Sequence, residues 1–400
     1  MKTSSFSNLM LRWLSRRTLV SWGVGVVLTA ALGIASAGGK PSYSYFVTGN
    51  AQAQVVIPTP PSTASIVLMG GGPDVDEAFR WMIARAGIQP GTGGRFVVIR
   101  ATGTDAYDPY IYYSDAALTT SATIADQWVG GASLGLTSVE TLVIPSITAA
   151  NDTFVNSVVS KAHAVFIAGG NQSDYINYWK GTKLDQTLQY LMKNNVPIGG
   201  TSAGLVVLGQ FDYAALKGTV TSTQALSNPY NKYMTLDPSP LGLTGGFLAP
   251  SALANTVLDA HLDSRDRMGR LIAFVARLVA PNSSFGCPGG ILAAATARGI
   301  GVDVETALLV QGNKGGNTAF TARRVTNPST TTQSAVYFVR PLNPPTVCAS
   351  GKPLTMTTVE IKKLADSDTV FNLVSRPKEF HPEPLAGRVE HWRVDLGRYL

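Results

Sequence analysis

The residues best able to do chemistry sit in one short stretch, Gly200-Thr201-Ser202-Ala203-Gly204, between an apolar run at 196–198 and another at 205–208. The spacing is G-x-S-x-G, which lifts a serine hydroxyl on a tight strand-to-helix turn. Such a turn holds the serine in a strained backbone conformation, and larger side chains two residues away on either side would clash. The helix that follows points free N–H groups at an oxyanion forming beside the serine. The chemistry implied is nucleophilic acyl transfer, with Ser202 as nucleophile. A glycine-lined strand-to-helix turn without catalysis is the bland alternative.

A serine nucleophile needs a base. The four histidines are His163, His261, His381 and His391. His163 precedes an apolar strand at the end opposite the turn, where a structural role is expected, and His381 and His391 lie in a charged C-terminal tail. His261 stands in a polar segment with Asp259, Arg265, Arg267 and Arg270. Three arginines beside a histidine, in a chain with only 14% charged residues, suit a site that grips carboxylates. Their alternative is a solvated helix face.

Elements able to position these groups alternate along the chain. Apolar runs at 66–69, 95–99, 141–144, 164–168 and 196–200 read as strands, and helical spacing follows at 74–83, 152–162 and 184–194. The expected fold is α/β, a mostly parallel sheet with helices on both faces. In such a sheet ligands collect at the carboxyl ends of the strands, where Gly70-Gly71-Gly72, Gly169-Gly170-Asn171-Gln172 and Ser202 all fall. Later β segments are expected at 299–303, 307–310, 335–339 and 354–361.

Residues 1–37 carry Lys2, Arg12, Arg16 and Arg17 with no acid, then an apolar run at 19–34 and Ala35-Ser36-Ala37. This is the pattern of a signal peptide, with Ser15-Arg16-Arg17 resembling a twin-arginine signal; an uncleaved anchor is the competing reading. Cleavage would lower the net charge from +7 to about +3, too little for a nucleic-acid partner. No other stretch is apolar enough to span a bilayer, so a secreted or periplasmic protein, off the membrane after cleavage, is expected. Cys287 and Cys348 can join in an exported chain, though two cysteines do not fix a pairing. Residues 38–63 read as a linker, 64–340 as the α/β domain and 341–400 as a C-terminal extension. Neither a metal-ligand set nor a phosphate loop is present, so no cofactor is expected.

With these motifs together the sequence resembles the cyanophycinase and dipeptidase E family of serine peptidases. The resemblance covers about residues 64–310 and is carried by Gly169-Gly170-Asn171-Gln172, the Ser202 turn, Asp259-x-His261-x-x-x-Arg265-x-Arg267-x-x-Arg270 and Gly299-Ile300-Gly301-Val302-Asp303. It implies a flavodoxin-like or class I glutamine amidotransferase-like fold, with peptide bonds hydrolysed after aspartate. For an exported member it implies cyanophycin, a poly-aspartate bearing arginines on its β-carboxyls, as substrate and β-Asp-Arg dipeptides as product. Ser202 then serves as nucleophile and His261 as general base. Gln172, Asp259, Arg265, Arg267 and Arg270 fall on substrate-binding positions, and the N–H groups of Gly170, Asn171 and Ala203 are expected to hold the oxyanion. The family's triad glutamate aligns with Gln224, a neutral amide that orients an imidazole without charging it; Asp212 and Asp237 are spare acids. The position before His261 is Ala260, where cyanophycinase has glutamine.

Other readings are an aspartyl exopeptidase or isopeptidase of the same family, a non-catalytic homologue that binds aspartyl or β-linked peptides, and an α/β-hydrolase esterase. The last lacks a reason for the arginine-rich histidine string. A homodimer stays open.

Overall fold

Short apolar runs rich in β-branched and aromatic residues form most of the central strands, as their burial on both faces requires. The computed structural model describes residues 41–114, 128–238, 246–312, 319–328, 330, 334–365, 370–374, 389–395 and 398–399, all within the unit Ala35–Leu400. The first half of the chain gives β1 (Ser44–Gly49), β2 (Ser65–Met69), α1 (Asp76–Arg85), β3 (Arg95–Arg100), α2 (Tyr107–Tyr112), β4 (Ser138–Val143), α3 (Ile147–Ala150), α4 (Thr153–Ser160), β5 (Ala164–Ile167), α5 (Gln172–Trp179), α6 (Lys183–Lys193) and β6 (Ile198–Thr201). The second half gives α7 (Ala203–Val206), β7 (Asp212–Tyr213), α8 (Ser222–Ser227), β8 (Leu236–Asp237), β9 (Thr256–Ala260), α9 (Met268–Leu278), β10 (Arg298–Val302), β11 (Thr306–Gly312), β12 (Ala319–Thr326), β13 (Val336–Pro341), β14 (Met356–Leu364), β15 (Val370–Val374), β16 (Val389–Asp395) and β17 (Arg398–Tyr399).

The larger sheet has nine strands in the order β1-β4-β3-β5-β6-β2-β11-β12-β15. Its centre, β4 to β2, is parallel, and its flanks are antiparallel. Alternate residues of the strands bury on opposite faces. Val67, Met69, Phe96, Val98 and Phe166 pack with Phe79, Met82 and Ile83 of α1. Ile66, Leu68, Val97, Ile99 and Ile167 share a core with Val155 and Val158 of α4 and Leu184 and Leu188 of α6. Each such side chain contributes roughly 1.5–3 kcal/mol. The fold is α/β, with helices on both faces of a large mixed sheet whose core is parallel.

A second, six-stranded sheet, β17-β16-β14-β13-β10-β9, is antiparallel except for β9 with β10. That parallel pair needs a crossover, and α9 supplies it, with Leu271 and Val275 in one core with Ile300 and Val302. The carboxyl ends of β2, β6 and β9 converge: Ser202 N–H donates to Met69 O (3.1 Å) and His261 N–H to Gly70 O (2.9 Å).

Two expected boundaries are corrected. Part of the 38–63 segment, read as a linker, is β1, paired from Ser44 opposite Val143 to Gly49 opposite Ser138. Its aromatics decide this: Tyr43 and Tyr45 pack on Phe154, and the Tyr45 hydroxyl donates to Glu140. Residues 341–400 are not appended either, since β14 continues the second sheet with Ile361 opposite Val339. The signal segment 1–37 and His381 lie outside the described residues. Among the described residues no helix is long and apolar enough to cross a membrane.

Candidate active site

The turn after β6 is as tight as its sequence demands. Ser202 has φ 52° and ψ −115°, a region that costs a side-chain-bearing residue of order 1–3 kcal/mol. A β-carbon on Gly200 would stand 2.3 Å from Gly204 O. The Ser202 hydroxyl lies 2.7 Å from His261 Nε2. His261 itself has φ 52°, because the chain turns sharply off the end of β9. Thr201, just before the nucleophile, donates its hydroxyl to Asp74 (2.8 Å), which also accepts from Tyr107 (2.6 Å). The turn is thus braced from behind by a group with no recognisable sequence motif.

A cavity of about 330 Å³ opens beside Ser202 and brings together Gly170, Asn171, Gln172, Ala203, Arg265 and Arg267. Its far wall is Ala215, Leu216, Gly218 and Thr219. Arg265 is exposed. Arg267 is mostly buried and donates to Ala260 O (2.8 Å). Burial, reinforced by Arg265 and Arg267, pushes the His261 imidazole down to about 4, against the opposing pull of Asp259 and Asp303. The ring is therefore neutral at physiological pH and free to accept the serine proton.

Three expectations are corrected here. Gln224 is not beside His261: its side-chain oxygen accepts from Thr221 N–H (3.0 Å) while the Thr221 hydroxyl accepts from Gln224 N–H (3.2 Å). This is a capping box at the start of α8, and the T-x-x-Q spacing announces it. Asp259 and Arg270 do not face the cavity. Asp259 is fully buried and is gripped by Arg270 through Nε (2.7 Å) and Nη2 (2.6 Å). The Arg270 guanidinium also bonds Val220 O (3.1 Å) and stacks over Tyr213, so this pair supports the site from below. Asp212 and Asp237 oppose each other across β7 and β8, with Asp237 paired to Lys180 (2.5 Å); neither bonds His261. His163 is structural: its Nδ1 accepts from Arg95 N–H (3.1 Å).

A serine on a strained turn, hydrogen-bonded to a neutral histidine at the carboxyl edge of a parallel sheet, defines a serine hydrolase of the α/β class. Residues 130–228, which contain the turn, match peptidase family S51. That match, over about a quarter of the chain, is to a family of serine peptidases and agrees with the resemblance to dipeptidase E and cyanophycinase. No curated protein matches the chain. Among solved structures it is similar to a peptidase from an acI-B1 Actinobacterium, with 16% identity, 74% of this chain and 94% of that one covered, and a TM-score of 0.39. It is also similar to a putative peptidase E protein from Listeria monocytogenes EGD-e, with 15% identity, 66% and 100% covered, and a TM-score of 0.34.

Proposed function

We propose that this serine peptidase is exported and hydrolyses amide bonds beside aspartate residues, with cyanophycin as the polymer its sequence resemblance points to. The observation that carries the reading is the position of Arg265 and Arg267 in the same cavity as Ser202. Ser202 Oγ attacks the scissile carbonyl while His261 Nε2 takes its proton. Backbone N–H groups at Ala203 and at the Gly170–Asn171 turn receive the oxyanion. The imidazolium then protonates the leaving amine, and water, activated by the same histidine, releases the acyl group. Arg265 and Arg267 bind substrate carboxylate; on cyanophycin, each arginine branch supplies one. The Cys287–Cys348 disulfide supports export, since such bonds persist in oxidising compartments.

A plain acidic peptide is the second reading, favoured by one feature of the cavity. Among the described residues none that lines it is acidic, so no carboxylate there pairs with a guanidinium. Incubating the mature protein with insoluble cyanophycin and, in parallel, with unbranched aspartyl peptides decides between them. Release of β-Asp-Arg supports the polymer, and cleavage of the peptides alone supports the second reading. Turnover of neither, with retained binding of an aspartyl peptide, would show a non-catalytic homologue.

A further inference from the structure

With Gln224 committed to a helix cap, the imidazole lacks the acid expected of a triad. Among the described residues no carboxylate forms a hydrogen bond or ion pair with the His261 ring. The charges that act on it electrostatically are Arg265, Arg267, Asp259 and Asp303. Asp259 is already neutralised by Arg270 and lies 3.7 Å from Arg267. Asp303 is different: it is only 6% exposed, and among the described residues it enters no ion pair.

We propose that Asp303 is a positioning residue for the Ser202–His261 pair, holding the turn that carries the histidine and supplying the negative charge that steadies its imidazolium. The proposal rests on the serine-peptidase reading of that pair. The sheet sets the placement. β9 and β10 run parallel with Ala260 opposite Val302, so His261 and Asp303 are the next residues on neighbouring strands. The Asp303 carboxylate accepts from Ser264 N–H (3.1 Å), inside the turn that Arg265 N–H closes on His261 O (3.2 Å). The Asp303 main chain is anchored in turn, its N–H donating to Ala335 O (3.1 Å). Nearby, Asp263 accepts from the Tyr337 hydroxyl (2.6 Å) and is acted on by Asp303 and Lys363. When the Ser202 proton moves to Nε2, the new cation faces two arginines, and Asp303 is the anion left to offset them in a region of reduced dielectric.

The test uses Asp303→Asn, which keeps an oxygen for Ser264 N–H and removes the charge. Histidine-ring NMR titration of the full mature protein, with the His261 signal assigned by its loss in His261→Gln, needs no substrate. The His261 midpoint should fall by about one unit. On whichever aspartyl substrate is turned over, kcat should fall about tenfold or more with KM near wild type, because substrate contacts are untouched. If Asp303→Asn does not fold, Asp303→Ser carries the same titration. A folded neutral variant whose His261 titrates as in wild type overturns the proposal. Absence of peptidase activity in the wild type would instead overturn the function, and the titration would still decide the role of Asp303.

Discussion

Gly71 lies against the imidazole of His261, so closely that a β-carbon there would stand 2.1 Å from Cε1 and 2.7 Å from either ring nitrogen. Its φ of +129° is a second reason for glycine. The glycine run after β2 is thus one wall of the histidine's slot, which explains a motif that carries no reactive atom. Gly71→Ala is expected to push the ring off Ser202 and to cut kcat/KM by about 100-fold, the cost of a displacement near 1 Å. Comparing kcat/KM with the melting temperature checks this, since wild-type turnover in a folded Ala variant would show that the contact does not hold the ring.

Ser202 and His261 act as a unit. Ser202→Ala should lower kcat by roughly 10⁴–10⁶-fold, His261→Ala nearly as much, and the double variant little more than either. A serine-directed phosphonate should label Ser202 alone. Labelling of another serine in the Ser202→Ala protein would move the nucleophile elsewhere.

Gln224 gives a prediction opposite to its alignment. A carboxylate at the capping position stays on α8 and away from His261, so Gln224→Glu should leave kcat unchanged. Gln224→Ala should destabilise the fold by about 0.5–1.5 kcal/mol, the net worth of the hydrogen bond it accepts from Thr221 N–H. Denaturant unfolding and steady-state kinetics together separate the two effects, and a faster Glu variant would return the residue to the triad.

Local signals served the site unevenly. The elbow was legible because its demands are local: a strand, a turn too tight for side chains and a serine, all within a few residues. His261 was legible as the histidine amid arginines, although its 2.7 Å contact with Ser202 bridges two sheets. The role of Asp303 was hidden because it depends on the parallel register of β9 with β10, which no spacing within one strand reveals. Asp259 and Arg270 were misread for the same reason. Their spacing is as good for gripping each other as for gripping substrate, and only burial decides. β1 escaped notice because a stretch rich in serine and glycine masks its aromatics, whereas the strands at 299–303, 335–339 and 354–361 were legible and only their pairing into a separate sheet was not.

The arginines of the histidine string should therefore part company on mutation. Arg265→Ala removes an exposed cation at the cavity, so KM for an acidic substrate should rise roughly tenfold, about 1.4 kcal/mol, with an unchanged melting temperature. Arg270→Ala leaves Asp259 buried without its bidentate partner and with only the longer 3.7 Å approach of Arg267, which costs about 3–5 kcal/mol of stability. Thermal denaturation and KM for both variants make the comparison. Equal stability of the two would contradict a structural role for Arg270.

The depressed histidine fixes the pH dependence. Neutral His261 is the working base, and it is half protonated only near pH 4. The acid limb of kcat/KM, which reports the free enzyme, should therefore fall near pH 4 rather than near the ordinary histidine value of 6.5. Stability follows the same sign. The unfolded chain takes up this proton as pH drops through 6.5 and the folded chain only near 4, so folding loses free energy across that window as pH falls and no further below it. Substrate carboxylates titrate in the same range, and a cation deletion distinguishes them from the base. Arg265→Ala removes one of the charges that hold the imidazole down, so its acid limb should move upward, toward 6.5. A limb that stays in place in Arg265→Ala, and shifts instead when the substrate's carboxylate is replaced by an amide, would assign the titration to the substrate and not to His261.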